Sequence, residues 1–392
     1  MNSALCHVFF EEYPKDSRIR RYVNTLRERG FALAAVCIGQ NEGFYRFENG
    51  IHVYRLPLRK KRRGFASRLL EYALFFAFAT VMTTYVSVHH RMRFFHVHTL
   101  PDFLVFSCTL PWVFGAKVIL DFHELFPEFM MQQRPRLGFD SVAIRALRLQ
   151  EKLSYRFADA VIAFHDPALE ILKLRNGEKR ICTVVMNAVD DSEMPVLGRR
   201  KHQKYRIVYN GTINTNLNLP LVVEALHVLE AKDSAVFNSV EFALYGDGPD
   251  LENVLARARL HGLAEKVKYR GRLPFTEMMK ALENASVCVL PPKKDIYSDL
   301  YYSLKLVEMI HLKIPVIASR LNTYLHYYPE DSLIYFEPGN TVELADKLCF
   351  VYHKRGKVQS FTHNAYAHSR FLSWDIMSKR YLDLLAQMQT AS

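Results

Sequence analysis

Short apolar runs alternate with longer amphipathic segments along the whole chain. The runs ALCHVFF (4–10), FALAAVCI (31–38), HVYRL (52–56), FFHVH (94–98), KVILD (117–121), AVIAF (160–164) and ICTVVM (181–186) have the length and side chains of strands. Helical patterns stand between them, such as SRIRRYVNTLRERG (17–30), for which Gly30 is a natural stop. A polar stretch without periodicity, DSEMPVLGRRKHQK (191–204), reads as a linker. The alternation then restarts with RIVYN (206–210), SVEFALYG (239–246), KVKYRG (266–271), SVCVLP (286–291), IPVIAS (314–319) and LIYF (333–336). A last amphipathic helix begins at Trp374.

Strands and helices in alternation predict α/β architecture with parallel, doubly wound sheets. The restart after the linker predicts two Rossmann-like domains facing across a cleft, spanning 1–190 and 205–373, with helix 374–392 packing back on the first. Ligands in such sheets bind at the carboxyl ends of the strands, so the loops after these runs are the candidates for chemistry.

Composition narrows the partner. The chain has 392 residues, 52 Lys and Arg against 40 Asp and Glu, and a formal net charge of +12, which favours an anionic ligand or surface. No basic–aromatic motif points to nucleic acid. The six cysteines form no C-x-x-C, so neither a zinc site nor a redox pair is indicated, and a reducing compartment is expected. Residues 1–15 read as a first strand and not as a signal peptide. The basic run RKKRRGFASR (59–68), holding Arg59, Lys60, Lys61, Arg62 and Arg63, precedes the apolar LLEYALFFAFATVMTTYVSV. That segment is nearly long enough to span a bilayer, but Glu71 would be costly in hydrocarbon. It is expected to lie in the membrane interface, with the basic residues on anionic headgroups and Phe75, Phe76 and Phe78 facing lipid; a buried helix of the first domain is the alternative.

Three segments after strands carry candidate chemistry: YNGTINTNLNLPLVVEAL (209–226), LYGDGPDLENVLARA (244–258) and SDLYYSLKLVEMIHLKIPVIAS (298–319). The first two place glycines at helix N-termini, where backbone N–H groups can receive phosphate. The third puts Lys305 in a first helical turn, unfavourable beside the positive end of the helix dipole unless an anion sits there. An i,i+3 ion pair with Glu308 would explain it without a ligand. His123 follows a strand in DFHELFPE, and Asp166 before Pro167 reads as a helix N-cap.

The order G-T-I-N-x-N, Y-G-D-G-P, V-x-Y-x-G-R-L, D-x-Y-x-D…K-L-x-E…P-V-I-A-S resembles the second half of glycosyltransferase family 4, which has the GT-B fold. DSRIRRYVNTLRERGF (16–31), VILDFHELFPEF (118–129), DAVIAF (159–164) and VVMNAVD (184–190) resemble its first half. The resemblance implies retaining transfer from a nucleotide-diphosphate sugar to a glycan or lipid-linked acceptor, in surface polysaccharide or glycolipid synthesis on the inner face of a membrane. It implies donor contacts from Gly211, Thr212, Asn216, Gly246, Asp247, Gly248, Arg272, Leu273, Asp299, Ser303, Lys305 and Glu308. Lys305 would face the diphosphate, Glu308 the ribose, and His123 the donor sugar and phosphate, with Lys305 and His123 catalytic. No cofactor or metal is expected, and the chain has no D-x-D triplet. Three places depart from the pattern. Leu300 stands where relatives carry a second Glu, and whether the neighbouring Asp299 takes its place is open. Leu217 and Asn218 replace a basic residue and Gly, and Lys313 replaces a Gly. They leave open a catalytically inactive sugar-nucleotide-binding subunit, or another GT-B enzyme such as a sugar-nucleotide epimerase.

Overall fold

The computed structural model describes residues 4–40, 43–58, 65–198 and 204–390. The chain divides into two compact units, Met1–Asn187 with Asp375–Ser392, and Ala188–Trp374.

The first unit holds an eight-stranded sheet of β1 (Ala4–Glu12), β2 (Ala32–Ile38), β3 (Tyr45–Glu48), β4 (Ile51–Leu56), β5 (Phe94–His98), β6 (Lys117–Asp121), β7 (Ala160–Ala163) and β8 (Cys182–Val184), in the order β3-β4-β2-β1-β5-β6-β7-β8. All neighbours are parallel except β3 and β4. The central strands are buried on both faces, which is why they read as unbroken apolar runs. Helix Ser17–Glu28 follows β1; the Asp16 carboxylate accepts from the N–H of Ile19 at its start, and Gly30 at φ 76° ends the segment. The strand β3 was not expected, because its side chains are largely exposed and carry no apolar run. Its signal is the Asn49-Gly50 dipeptide. Both residues have positive φ, 51° and 80°, as a two-residue hairpin turn requires.

A second difference concerns helix Asp166–Asn176. His165, not Asp166, is its N-cap: the His165 ring accepts from the N–H of Ala168 at 2.9 Å, and Asp166 is already helical. The terminal helix Trp374–Thr390 contributes to the first unit through Tyr381, whose hydroxyl lies 2.9 Å from His96 Nδ1, and through Met377, whose sulfur accepts from the N–H of Met186 at 3.2 Å.

Helix Phe65–His89 is long and apolar enough to cross a membrane by length and composition. One stripe of it, Glu71, Phe75, Ala79, Thr83 and Val86, is buried in the unit, and Thr83 donates to the carbonyl of Ser107 at 2.7 Å. Phe75 is therefore a core ring and not a lipid-facing one, while Phe76 and Phe78 are half-buried. The opposite stripe is also apolar and is exposed: Leu70, Leu74, Val81, Tyr85 and Val88. Arg59, Lys60, Lys61, Arg62 and Arg63 lie outside the described residues.

The second unit holds a parallel six-stranded sheet of β9 (Tyr205–Thr212), β10 (Val240–Asp247), β11 (Val267–Tyr269), β12 (Val287–Leu290), β13 (Val316–Ser319) and β14 (Ile334–Phe336), in the order β11-β10-β9-β12-β13-β14. The strand order turns at β9, between β10 and β12, which places a topological switch point at the carboxyl end of β9.

Candidate functional site

The carboxyl ends of β9 and β10 are packed too tightly for side chains. Gly211 has φ 126° and Gly246 φ 120°, and a Cβ on Gly246 would fall 1.9 Å from the Gly211 carbonyl oxygen. A Cβ on Gly248 would fall 2.0 Å from the carbonyl oxygen of Ile213. The Gly246 N–H donates to Gly271 at 2.8 Å, and Ile213 donates to Asp247 at 2.9 Å, so three loops are tied into one surface.

Lys305 lies across that surface. A Cβ on Gly211 would meet Lys305 Cε at 1.9 Å and its amine at 2.7 Å, so only glycine lets the lysine arm bend over this turn. Lys305 stands in the first turn of helix Leu304–His311, whose N-cap residue Ser303 makes no side-chain capping bond. Lys305 makes no ion pair with another described residue, and its ammonium is set over the β9 turn. An unneutralised cation, glycine N–H groups and a helix start together offer a site for an anion.

The other expected donor residues are less uniform. Thr212 is exposed at the end of β9, and its carbonyl accepts from the Tyr209 hydroxyl at 2.6 Å. The carbonyl of Asn216 accepts from the N–H of Lys293 at 3.0 Å, bringing Lys293 and Lys294 of the loop after β12 beside the β9 turn. Sequence reasoning had not singled out those lysines, although PPKK directly follows a strand. Asp247 accepts from the N–H of Gly248 at 2.8 Å. Arg272 is exposed and Leu273 half-buried, in the loop after Gly271. Glu308 is half-buried one turn beyond Lys305. Both oxygens of Asp299 are bonded to Asn322, one to its N–H at 2.8 Å, and the Asp299 carbonyl accepts from Thr323 at 2.7 Å. That carboxylate anchors helix Asn322–Tyr327. Lys313 adopts φ 55°, a left-handed position where glycine would be unstrained, and its amine lies 4.7 Å from the centre of the Tyr366 ring. Asn218 is also left-handed, at φ 49°.

In the first unit, His123 sits two residues beyond β6 in a cluster that the linear sequence hides. Parallel register sets His7 on β1 beside His96 on β5, and His98 beside Asp121 on β6. Residues paired across strands, and residues two apart, share a face, so His7, His96, His98 and Asp121 project together. His7 Nδ1 is 3.1 Å from His98 Nε2, and His98 Nδ1 is 3.1 Å from His123 Nε2. Asp121 Oδ2 lies 3.3 Å from His98 Nδ1, 3.4 Å from His123 Nε2 and 3.5 Å from His96 Nε2. Arg18 donates to both Asp121 oxygens, at 2.7 and 3.1 Å, and to the carbonyl of Val185 at 2.6 Å.

Burial would raise the Asp121 carboxyl, but the charge of Arg18 overrides it and holds the group well below the usual range. Burial pushes His96 and His98 down to about 3 and takes His7 well below its ordinary value. These three rings are neutral at pH 7. The H-x-H spacing on a strand was the available signal for this cluster.

Two family descriptions cover most of the chain: "Glycosyl transferase 4-like domain" matches residues 16–188, and "Glycosyl transferases group 1" matches residues 204–354. No curated protein matches the sequence. Among solved structures, sucrose-phosphate synthase from Thermosynechococcus elongatus is similar over 100% of both chains, with a TM-score of 0.75 at 14% identity. HepE from Anabaena, solved with UDP and glucose, is similar over 98% of this chain and 99% of its own, with a TM-score of 0.71 at 13% identity. The lipopolysaccharide outer core galactosyltransferase WaaB in its apo form is similar over 98% and 99%, with a TM-score of 0.66 at 12% identity. At these identities the structures establish the fold, and the family matches establish the lineage: the chain belongs to the group 1 glycosyltransferases and is an enzyme of the GT-B fold.

Proposed function

We propose that the protein transfers a sugar, with retention, from a nucleotide-diphosphate donor to a glycan or lipid-linked acceptor in surface polysaccharide or glycolipid synthesis. The observation that carries this reading is Lys305, whose arm lies across Gly211 and which makes no ion pair with another described residue. The diphosphate would lie on the Gly211 and Gly246 turns against Lys305 and the start of its helix, with Glu308 on the ribose hydroxyls. HepE, solved with UDP and glucose, supports a sugar nucleotide as the ligand class. In the scheme, the acceptor hydroxyl attacks on the leaving-group face and a donor phosphate oxygen takes its proton. Lys305 and the backbone N–H groups stabilise the departing charge, a preorganised electrostatic site. No metal or cofactor enters the scheme.

Lys305→Ala should weaken binding of the matching nucleoside diphosphate by about 1.5–3 kcal/mol, the worth of a charge-assisted contact. Calorimetry with UDP, GDP and ADP, after a thermal-shift screen to choose the base, measures it. Unchanged affinity would return Lys305 to a packing role. The second reading, a binding subunit without turnover, draws on Leu300, which stands where relatives carry a second Glu, and on the neighbouring Asp299, both of whose carboxylate oxygens accept hydrogen bonds from Asn322. Tight nucleotide binding with no nucleotide released from donor plus membrane-lipid extract would favour that reading.

The exposed stripe of helix Phe65–His89 supports a peripheral seat on the inner face of a membrane. Glu71 and Thr83 face the protein, and the exposed stripe of Leu70, Leu74, Val81, Tyr85 and Val88 suits the interface. Binding to anionic vesicles should have a salt-sensitive part, from the basic residues at about 1 kcal/mol each, and a salt-resistant apolar part. Replacing Arg59, Lys60, Lys61, Arg62 and Arg63 with Ser should remove the first. Replacing Leu70, Leu74 and Val81 with Ser should remove the second and leave the fold intact, because all three are more than half exposed. Vesicle sedimentation unaltered by either set would rule out this surface.

A further inference from the structure

Three histidines in the first unit form a chain that can hold its protons in only two ways. His7 Nδ1, His98 and His123 Nε2 are linked by two 3.1 Å contacts, and each contact holds one proton. His7 and His98 are buried and neutral, so each carries one N–H. If His98 donates from Nδ1 to His123, its Nε2 must accept from His7. If it donates from Nε2 to His7, its Nδ1 must accept from His123. Reversing one ring reverses all three.

The inner end of the chain selects between them. His7 Nε2 is fully buried and has no hydrogen-bond partner among the described residues. In the first arrangement that atom is a bare lone pair, and in the second an N–H with nothing to bond. An orphaned buried N–H is the rarer state. The first arrangement also aims the His98 Nδ1–H between His123 Nε2 at 3.1 Å and the Asp121 carboxylate at 3.3 Å, so both buried rings of the chain have their N–H bonded. His123 Nε2 is then an acceptor, and its proton sits on Nδ1, the nitrogen that makes no contact among the described residues.

We propose that His98, backed by His7 and by the Arg18–Asp121 pair, is a positioning residue that holds His123 as the Nδ1–H tautomer, so that it meets its ligand as a hydrogen-bond donor. That the ligand is the phosphate or sugar oxygens of the donor rests on the transferase reading above; the tautomer does not. His98 Nδ1, His123 Nε2 and Asp121 Oδ2 are also spaced as metal ligands could be. Arg18, however, already donates to both carboxylate oxygens. A dication there would bury two positive groups against one carboxylate, so the hydrogen-bonded chain is favoured.

The test is the tautomer itself. Long-range nitrogen–proton NMR spectra of the ¹⁵N-histidine-labelled full chain separate Nδ1–H from Nε2–H rings, and His123→Asn assigns the signal. Wild type should give His123 as Nδ1–H at neutral pH. His98→Phe, and separately His7→Phe, should shift it toward Nε2–H, which can donate to Asp121 directly. With the donor identified, His98→Phe should lower kcat about tenfold or more while its KM changes little, because the proposed diphosphate contacts lie in the second unit. An Nε2–H ring in wild type, or a tautomer indifferent to both variants, would overturn the proposal. So would one equivalent of Zn²⁺ retained by wild type and lost in His98→Phe. The spectra require no substrate, so a failed donor screen would sink the transferase reading and leave this one standing.

Discussion

Acidification from pH 7 to about pH 4.5 should unfold the first unit well before ordinary carboxylate titration would. His7, His96 and His98 are buried and neutral, with His96 and His98 at about 3 against an ordinary 6.5. Their folded values are depressed, so their contribution is fully present above pH 6.5 and is lost as pH falls toward 3, where the unfolded chain binds protons that the folded one refuses. Each such ring costs about 1.4 kcal/mol per pH unit below 6.5. His96 and His98 over two units come to roughly 5 kcal/mol, already within the range of a whole domain's stability, and His7 adds to the loss in the same direction. The Asp121 carboxyl, held low by Arg18 against its own burial, adds to the loss below about pH 4. The chain has two tryptophans, Trp112 in the first unit and Trp374 in the second, so Trp112 fluorescence in a Trp374→Phe background follows the transition. His96→Phe should flatten the pH slope. Stability unchanged between pH 7 and 5 would refute the assignment of three neutral rings.

Arg18→Met should cost about 3–5 kcal/mol at pH 7, the usual result of stranding one member of a buried ion pair. Asp121 is fully buried, and Arg18 is the only cation donating to it among the described residues. The double variant Arg18→Met/Asp121→Leu should recover most of the loss, since an apolar pair of similar volume avoids both desolvation costs. The single variant's deficit should shrink as pH falls, because burial raises the unpaired carboxyl and protonation then relieves it. Urea denaturation of both variants at two pH values measures this. A double variant as unstable as the single one would mean that Arg18 acts through the Val185 carbonyl and its packing, not through Asp121.

The fold was legible where burial writes itself into composition. Strands buried on both faces, such as β1 and β2, stand out as apolar runs, and the glycine turns after β9 and β10 mark the places where backbones meet. The strand β3 escaped because its side chains are solvated, although Asn49-Gly50 encodes the hairpin in backbone conformation. The histidine cluster escaped for a different reason. His7, His98 and Asp121 are far apart in sequence, and only the parallel register makes them neighbours. The Lys305–Gly211 contact was half legible: an ill-placed charge could be seen, but not the neighbour it leans on. The spacing around Asp299 was legible, but not that both its carboxylate oxygens accept hydrogen bonds from Asn322.

The helix Trp374–Thr390 has a consequence for the order in which this protein can be made. It lends Tyr381 to the ring of His96, yet some 190 residues of another unit are translated between the first unit's last strand and that helix. On a ribosome the second unit can complete its sheet while the chain is still growing. The first unit, begun earlier, waits with His96 and Met186 uncovered until that helix has been made. A fragment cut after Asn187 would remain in that waiting state, so a separable amino-terminal piece has to carry residues 375–392 joined back by a short tether.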